Sequence, residues 1–430
     1  MAKNKQSPPR IYYGWYIVVA MIFIGATSAT VAGPIFGFFI EPMQNDLGFD
    51  NTVFGLANTG RMLAAAFGGL FIGKLLDKHG PRVMLAVAGT VSGLAIISLG
   101  FFHPAWWLIG VFVITGLVGV QGQAPFYTGP SVAKWFIRKR AKALGILSMA
   151  APLGLIIGFP VVQWIISNFG WRTGWVSLGT AAIVIILPIS LLLLRRQPED
   201  IGLLPDGDTP NQEVANGQEA SSPIPSEHQW TREEAIRTVA FWRLTLTFSL
   251  FVFATSSMAF FRLPFFTDQG MNVSTIAIAA STAQIPLFLG AATIGRQVSA
   301  VGMERLVGIN LLLLGVCFLI TLASTNTFMM FAAFYTFAWA TNAVGALQGI
   351  MYASYFGRQH AGAVRSAALT TTLLFAGISG PLAGRIADVT GDFRAIWWPT
   401  VGVLALASLL IVTTKPPVKQ QQAESPPVRD

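Results

Sequence analysis

The sequence predicts an all-α integral membrane protein: twelve transmembrane helices in two pseudo-symmetric six-helix bundles, with both termini cytoplasmic. Three observations predict it. Apolar residues fill 53% of the 430 positions and charged residues only 11%, against about 25% charged in a typical soluble domain. The apolar residues gather into twelve runs, each long enough for the roughly 20 residues that cross hydrocarbon. Four short stretches of the first half recur in the second at a near-constant spacing.

The runs are 13–40, 53–74, 83–102, 106–133, 143–167, 171–194, 240–266, 274–296, 303–323, 327–355, 366–388 and 395–414. They divide the chain into a cytoplasmic N-tail (1–12), an N-terminal bundle (13–194), a cytoplasmic linker (195–239), a C-terminal bundle (240–414) and a cytoplasmic C-tail (415–430). The linker core, "PDGDTPNQEVANGQEASSPIPSEHQ", is rich in Pro, Gly, Ser and acids. Such a composition buries too little apolar surface to form a core. Orientation follows from Lys and Arg, which concentrate on the cytoplasmic side of membrane proteins. With the N-terminus inside, 22 of the 28 fall in inside segments and only Arg172, Arg385 and Arg394 outside. The net charge of +9 is therefore a topology signal, and nucleic acid is not an expected partner. The lipid bilayer is.

The basic N-tail runs into a long apolar stretch without a small-residue cleavage site, so it reads as tail and first span. The single cysteine, Cys317, lies in an apolar stretch and offers no disulfide or metal framework. No cofactor is expected. Metal-ligand spacing, a nucleophile elbow, an intramembrane acid pair and a P-loop are all missing, so neither an enzyme nor an ATP-driven pump is expected.

The repeat is explicit. "GKLLDKHG" (73–80) returns as "GRQVSAVG" (295–302), and "WFIRKRAKA" (135–143) as "YFGRQHAGA" (355–363). "GLIIGFP" (154–160) is matched by "FAGISGP" (375–381), and "FGWR" (169–172) by "GDFR" (391–394). Two parallel halves meeting at a cavity is an arrangement used by carriers.

The loop "GKLLDKHGPR" carries Gly73, Asp77, Lys78, Gly80 and Arg82 at the spacing of a signature of the major facilitator superfamily. The glycines permit a tight turn. Asp77 is placed to cap or pair at neighbouring helix ends and act as a gate. "YYGWYIV", "RRQPEDIGLLPDGD", "WTREEAIRTVAFWRL" and "GPLAGRIADVTGDFR" follow in order along the chain. Together they resemble the branch of monocarboxylate transporters and oxalate/formate-type antiporters. The resemblance implies a secondary transporter of small organic anions, above all monocarboxylates, working by alternating access as proton symporter or anion exchanger. The short loops point to the inner (plasma) membrane, and the functional unit is expected to be a monomer. A carrier or exporter of a larger or less charged metabolite is the alternative, and a non-transporting sensor a remote one. The departures are specific. Ala291 and about Thr372 stand where antiporter-like relatives carry a substrate-binding arginine and a lysine, and Arg296 reads as a loop-edge residue rather than a ligand. In the second-half motif, Ser299 replaces the acid of Asp77.

"ANTGRMLAAAFGG" (57–69) places Arg61 roughly 13 Å inside the second span at the helical rise. An arginine at mid-span costs about 2.5–3.5 kcal/mol, and no Asp or Glu falls at mid-span anywhere. Two readings stand. A carboxylate substrate supplies the anion through charge-assisted hydrogen bonds, or Arg61 reaches span 11, a backbone carbonyl, Asp388 or Glu41 and closes an outer gate. Arg262, just before Pro264, carries the same alternatives. Further candidates for the pathway are Asn58, Thr27, Ser28, Gln121, Tyr127, Ser256, Ser257, Gln284, Tyr335, Trp339 and Asn342. Each could equally bridge helices. The histidines fall in loops and the linker, which leaves Glu41 and Asp268 as proton-coupling candidates.

Overall fold

A computed structural model describes residues 12–31, 33–118, 124–137, 139–207, 230–357 and 361–417. Among the described residues the chain is helical throughout, with no β-strand. The first half holds α1 (Tyr13–Thr30), α2 (Gly33–Leu47), α3 (Asn51–Ser98), α4 (Ala105–Val118), α5 (Ala124–Trp135), α6 (Arg140–Leu147) and α7 (Ala150–Leu193). A short α8 (Arg232–Ile236) leads into the second half. There follow α9 (Val239–Asp268), α10 (Val273–Thr282), α11 (Gln284–Val301), α12 (Met303–Leu322), α13 (Thr327–Phe356), α14 (Ala361–Thr390) and α15 (Arg394–Val412).

Two of these helices are too long to be single rods in a membrane. At 1.5 Å per residue α3 would reach about 72 Å and α7 about 66 Å. Each is broken by a glycine in the left-handed region: Gly80 (φ 75°) in α3 and Gly170 (φ 83°) in α7. A side chain is strained at such a φ. The second half uses the same device at Gly302 (φ 90°), between α11 and α12, and at Gly391 (φ 76°), before α15. Gly80 and Gly302 end the two copies of one repeated motif, and Gly170 and Gly391 sit in the two copies of another. The sequence repeat is therefore also a repeat of backbone conformation.

Local caps explain where several helices begin. Asn272 accepts the amides of Ser274 and Thr275 at the start of α10, and Asn326 that of Met329 at the start of α13. Thr231 and Glu234 form a capping box on α8. Eight helical stretches among the described residues are long and apolar enough to cross a membrane, from Tyr13–Leu47 to Arg394–Val412. The expected run 13–40 is divided into α1 and α2, and 106–133 into α4 and α5.

Large apolar side chains cover the outside of the bundle: Phe67, Trp106, Leu192, Phe328 and Leu409 are all exposed. An apolar surface of this extent suits hydrocarbon, not water. Within the first half α3 packs on α4 and α7, and α1 on α7. Within the second, α12 packs on α13 and α15, and α9 on α14. The halves meet chiefly through α3 with α14, α7 with α10, and α2 with α9.

Candidate functional site

Arg61 finds its protein partner one turn away. Its Nη2 donates to Asn58 Oδ1 at 2.8 Å, a pairing that the i, i+3 geometry of a helix favours. Asn58 is buried, and its amide nitrogen lies 3.9 Å from the Met62 sulfur. The Nε of Arg61 is buried without a hydrogen-bond partner, and no ion pair forms with Arg61 among the described residues. Gly116 of α4 lies against the main chain of Arg61, where a Cβ would collide with the Arg61 carbonyl. This close approach fixes the backbone from which the guanidinium projects.

Asp388 does not meet Arg61, contrary to one of the gating expectations. It lies at the far end of α14 and caps α3 instead, accepting the amides of Asn51 (3.0 Å) and Thr52 (2.9 Å) and the Thr52 hydroxyl. The physical reason is plain. The first amides of a helix have no partner within it, Asp50 makes no side-chain cap, and a carboxylate is stabilised at a helix N-terminus.

Arg262 is not brought to Arg61 either. Only 8% exposed, its guanidinium lies 4.1 Å from the ring centre of Phe334 and 4.6 Å from that of Phe337. Met258, Phe266, Cys317, Thr321 and Ala333 complete this small enclosure. All of these residues belong to the second half. The rings take the place of a carboxylate through cation–π attraction.

The other candidates divide by hydrogen bonding. Thr27, Ser28 and Ser257 turn their donors onto carbonyls of their own helices, at Phe23, Ile24 and Ala254, and Gln284, first in α11, donates to Ala280 O of α10. Tyr127 donates to Val118 O across the 119–123 segment at 2.6 Å, and Tyr335 to Thr282 Oγ1 at 3.0 Å. These two bonds brace neighbouring segments of one half. Asn342 has a buried amide nitrogen without a partner, while Ser256 and Trp339 are half-buried. Gln121 lies outside the described residues. In the signature loop, Gly80 makes the turn against Arg196, and Lys78 and Arg82 are exposed. The surroundings of Gly73 and the side chain of Asp77 lie outside the described residues.

At the end of the molecule where α3 begins, a cavity of about 350 Å³ lies between the halves, lined by Glu41, Asn45, Gln163, Pro264, Thr267 and Val273 among others. Glu41 is half-buried and Asp268 exposed. Below it the halves touch closely. A Cβ on Gly55 of α3 would lie 2.7 Å from the Gly380 carbonyl carbon of α14. The rings of Phe36 and Phe260 meet across the junction, tilted at 49° with their centres 5.1 Å apart. Thr59 donates to the Gly377 carbonyl, and Ser281 to the Ile156 carbonyl at 2.6 Å. The sequence reading passed over Thr59 and Ser281. The signal available was the repeat itself, since the two positions correspond within a residue of its spacing.

A multi-pass bundle of two similar helical halves that meet at one end is the architecture of a membrane carrier. The sequence profile of the Major Facilitator Superfamily matches residues 17–278, well over half of the chain, and the protein belongs to that family. The chain is 28% identical over 177 residues to the Bacillus subtilis protein described as "Probable galactarate/D-glucarate transporter GudP", covering 40% of this chain and 38% of that protein. It is 30% identical over 178 residues to human monocarboxylate transporter 1, covering 40% of this chain and 34% of the transporter. The matched segments thus span about a third to two fifths of these relatives. Among solved structures, the nucleoside transporter NupG (D323A mutant) superposes with a TM-score of 0.70 at 14% identity, over 93% of this chain and 99% of that one. These similar proteins are transporters, not enzymes.

Proposed function

We propose that this protein is a secondary transporter of small organic anions, foremost monocarboxylates, with Arg61 as the partner of the substrate carboxylate. One observation carries the reading: a guanidinium in the expected second span whose hydrogen-bond partner is the neutral Asn58, and whose Nε is buried and unpartnered. A buried positive charge without an acid favours an entering anion. A carboxylate would satisfy it with charge-assisted hydrogen bonds. Both named relatives carry organic acids in their descriptions, which supports the same class.

In this reading twelve spans form two six-helix bundles, 13–194 and 240–414, joined by the 195–239 linker. Both termini face the cytoplasm and the Asn51 end faces outward, in the inner membrane. The breaks at Gly80, Gly170, Gly302 and Gly391 support this division. The unit is a monomer that alternates between a state closed at the Asn51 end and one closed at the other. Arg262, held by two aromatic rings, serves the packing of the second half. Thr27, Ser28, Ser257, Gln284 and Asn342 supply the polar lining, and Glu41 and Asp268 remain the groups through which a proton would couple.

Uptake of labelled lactate, pyruvate, acetate, formate and oxalate into proteoliposomes, with and without an inward proton gradient, tests the reading. The expected result is saturable uptake that is lost in Arg61→Ala. If no member is taken up, even in counterflow, the small-carboxylate assignment fails, and a larger metabolite becomes the substrate to seek. If the gradient stimulates uptake and Glu41→Gln removes only that stimulation, Glu41 carries the proton. Unchanged stimulation in both Glu41→Gln and Asp268→Asn points to anion exchange, or to a proton travelling with the substrate.

A further inference from the structure

We infer that Thr59 and Ser281 are a matched pair of latches that hold the Asn51 end closed, each donating its hydroxyl to a backbone carbonyl that a proline in the opposite half has set free. Proline has no N–H, so within a helix the carbonyl four residues before it loses its partner. Pro381 of α14 frees the carbonyl of Gly377, and Pro160 of α7 frees that of Ile156. Those are the two carbonyls that receive hydroxyls across the junction, from Thr59 of α3 and from Ser281 of α10. The donors and the prolines both repeat. Pro160 and Pro381 close the paired stretches "GLIIGFP" and "FAGISGP", and Thr59 and Ser281 correspond within a residue of the same spacing. Each half therefore gives one hydroxyl and accepts one.

The chemistry suits a contact that must break. A buried carbonyl without a partner is costly, so the closed state gains a bond that the separate halves cannot make for themselves. When the halves part, water reaches both carbonyls. A threonine or serine hydroxyl in a helix can also fall back on the carbonyl four residues earlier. For Thr59 that alternative already stands at 3.0 Å, on Gly55 O. Opening therefore leaves no donor stranded, and closing needs no charge to be moved out of water. The glycines at 55 and 380 bring the two main chains near enough for the Thr59 bond to form.

The latch is independent of what the protein carries, and its test uses no substrate. Spin labels at Asn45→Cys and Val273→Cys, in a Cys317→Ser background, line the cavity at the closed end from opposite halves and report the separation of the halves. Pulsed dipolar distances on the full-length reconstituted protein should show Thr59→Val and Ser281→Ala each shifting the balance toward the longer separation by roughly three- to tenfold, the effect of one net hydrogen bond. The double variant should multiply the two shifts, and Thr59→Ser should restore the parent distribution. Coupling to proline separates a latch from simple packing. In Pro381→Ala, where Gly377 regains a helical donor, Thr59→Val should have no further effect, whereas in Pro160→Ala its effect should persist. An unchanged distribution in the double variant overturns the inference, as does a Thr59→Val shift of equal size in both proline backgrounds.

Discussion

At the residue scale, the question set by the sequence was what pairs with Arg61. Asn58 answers part of it by meeting one nitrogen and leaving the charge uncompensated. Arg61→Ala should abolish carboxylate uptake, lowering kcat/KM at least a hundredfold. Arg61→Lys should restore less than a tenth of the parent rate, since an ammonium cannot present two parallel donors. Both are read from initial rates in proteoliposomes. Arg262 calls for the opposite expectation. Its contacts with Phe334 and Phe337 are worth about 0.5–2 kcal/mol. Arg262→Met should therefore lower the thermal midpoint by a few degrees in detergent while uptake continues. Loss of uptake with unchanged stability would make Arg262 a ligand after all. The sequence made both arginines conspicuous in the same way. It could not separate them, because the rings that hold Arg262 come from a helix some 70 residues further on.

At the scale of elements, long apolar helices and their turns were legible, eight of them long and apolar enough to span among the described residues, and their pairings were not. Hydropathy located the long helices, and repeated glycines marked where they turn: Gly80 and Gly302 were readable as turns because only glycine tolerates their φ without strain. Gly80→Ala should cost about 1 kcal/mol, measured as a lower thermal midpoint, with Gly302→Ala showing a similar loss. The contact between α3 and α14 depends instead on which small residues face each other from distant parts of the chain, and periodicity says nothing of that. Gly55→Leu places a side chain where the Gly380 main chain runs. It should lengthen the Asn45–Val273 label distance in most molecules and reduce uptake severely, while the protein still elutes as a folded monomer.

At the scale of the whole molecule, the repeat is the feature that sequence and structure share most fully. It extends from motif spacing to backbone angles and to the two hydroxyl–carbonyl contacts across the junction. What the sequence could not supply is the conformation. Nothing in a linear pattern says that the halves meet through α3 with α14 and α7 with α10 at the Asn51 end. The assignment of that end to the outer face can be checked directly. A protease site added to either tail should be cut in inside-out vesicles and protected in spheroplasts.

The cap on α3 has one more consequence. The first two amides of that helix, at Asn51 and Thr52, are held by Asp388 from the other half, while the adjacent Asp50 leaves them unserved. The beginning of α3 is thus completed only when the two halves are together, and each excursion to the open form returns those two amides to water. Their hydrogen–deuterium exchange becomes a gauge built into the native chain: it follows the fraction of time that end is open, or counts openings where exchange outruns reclosing. It can be read by mass spectrometry without any label, and a substrate that drives cycling would set its rate.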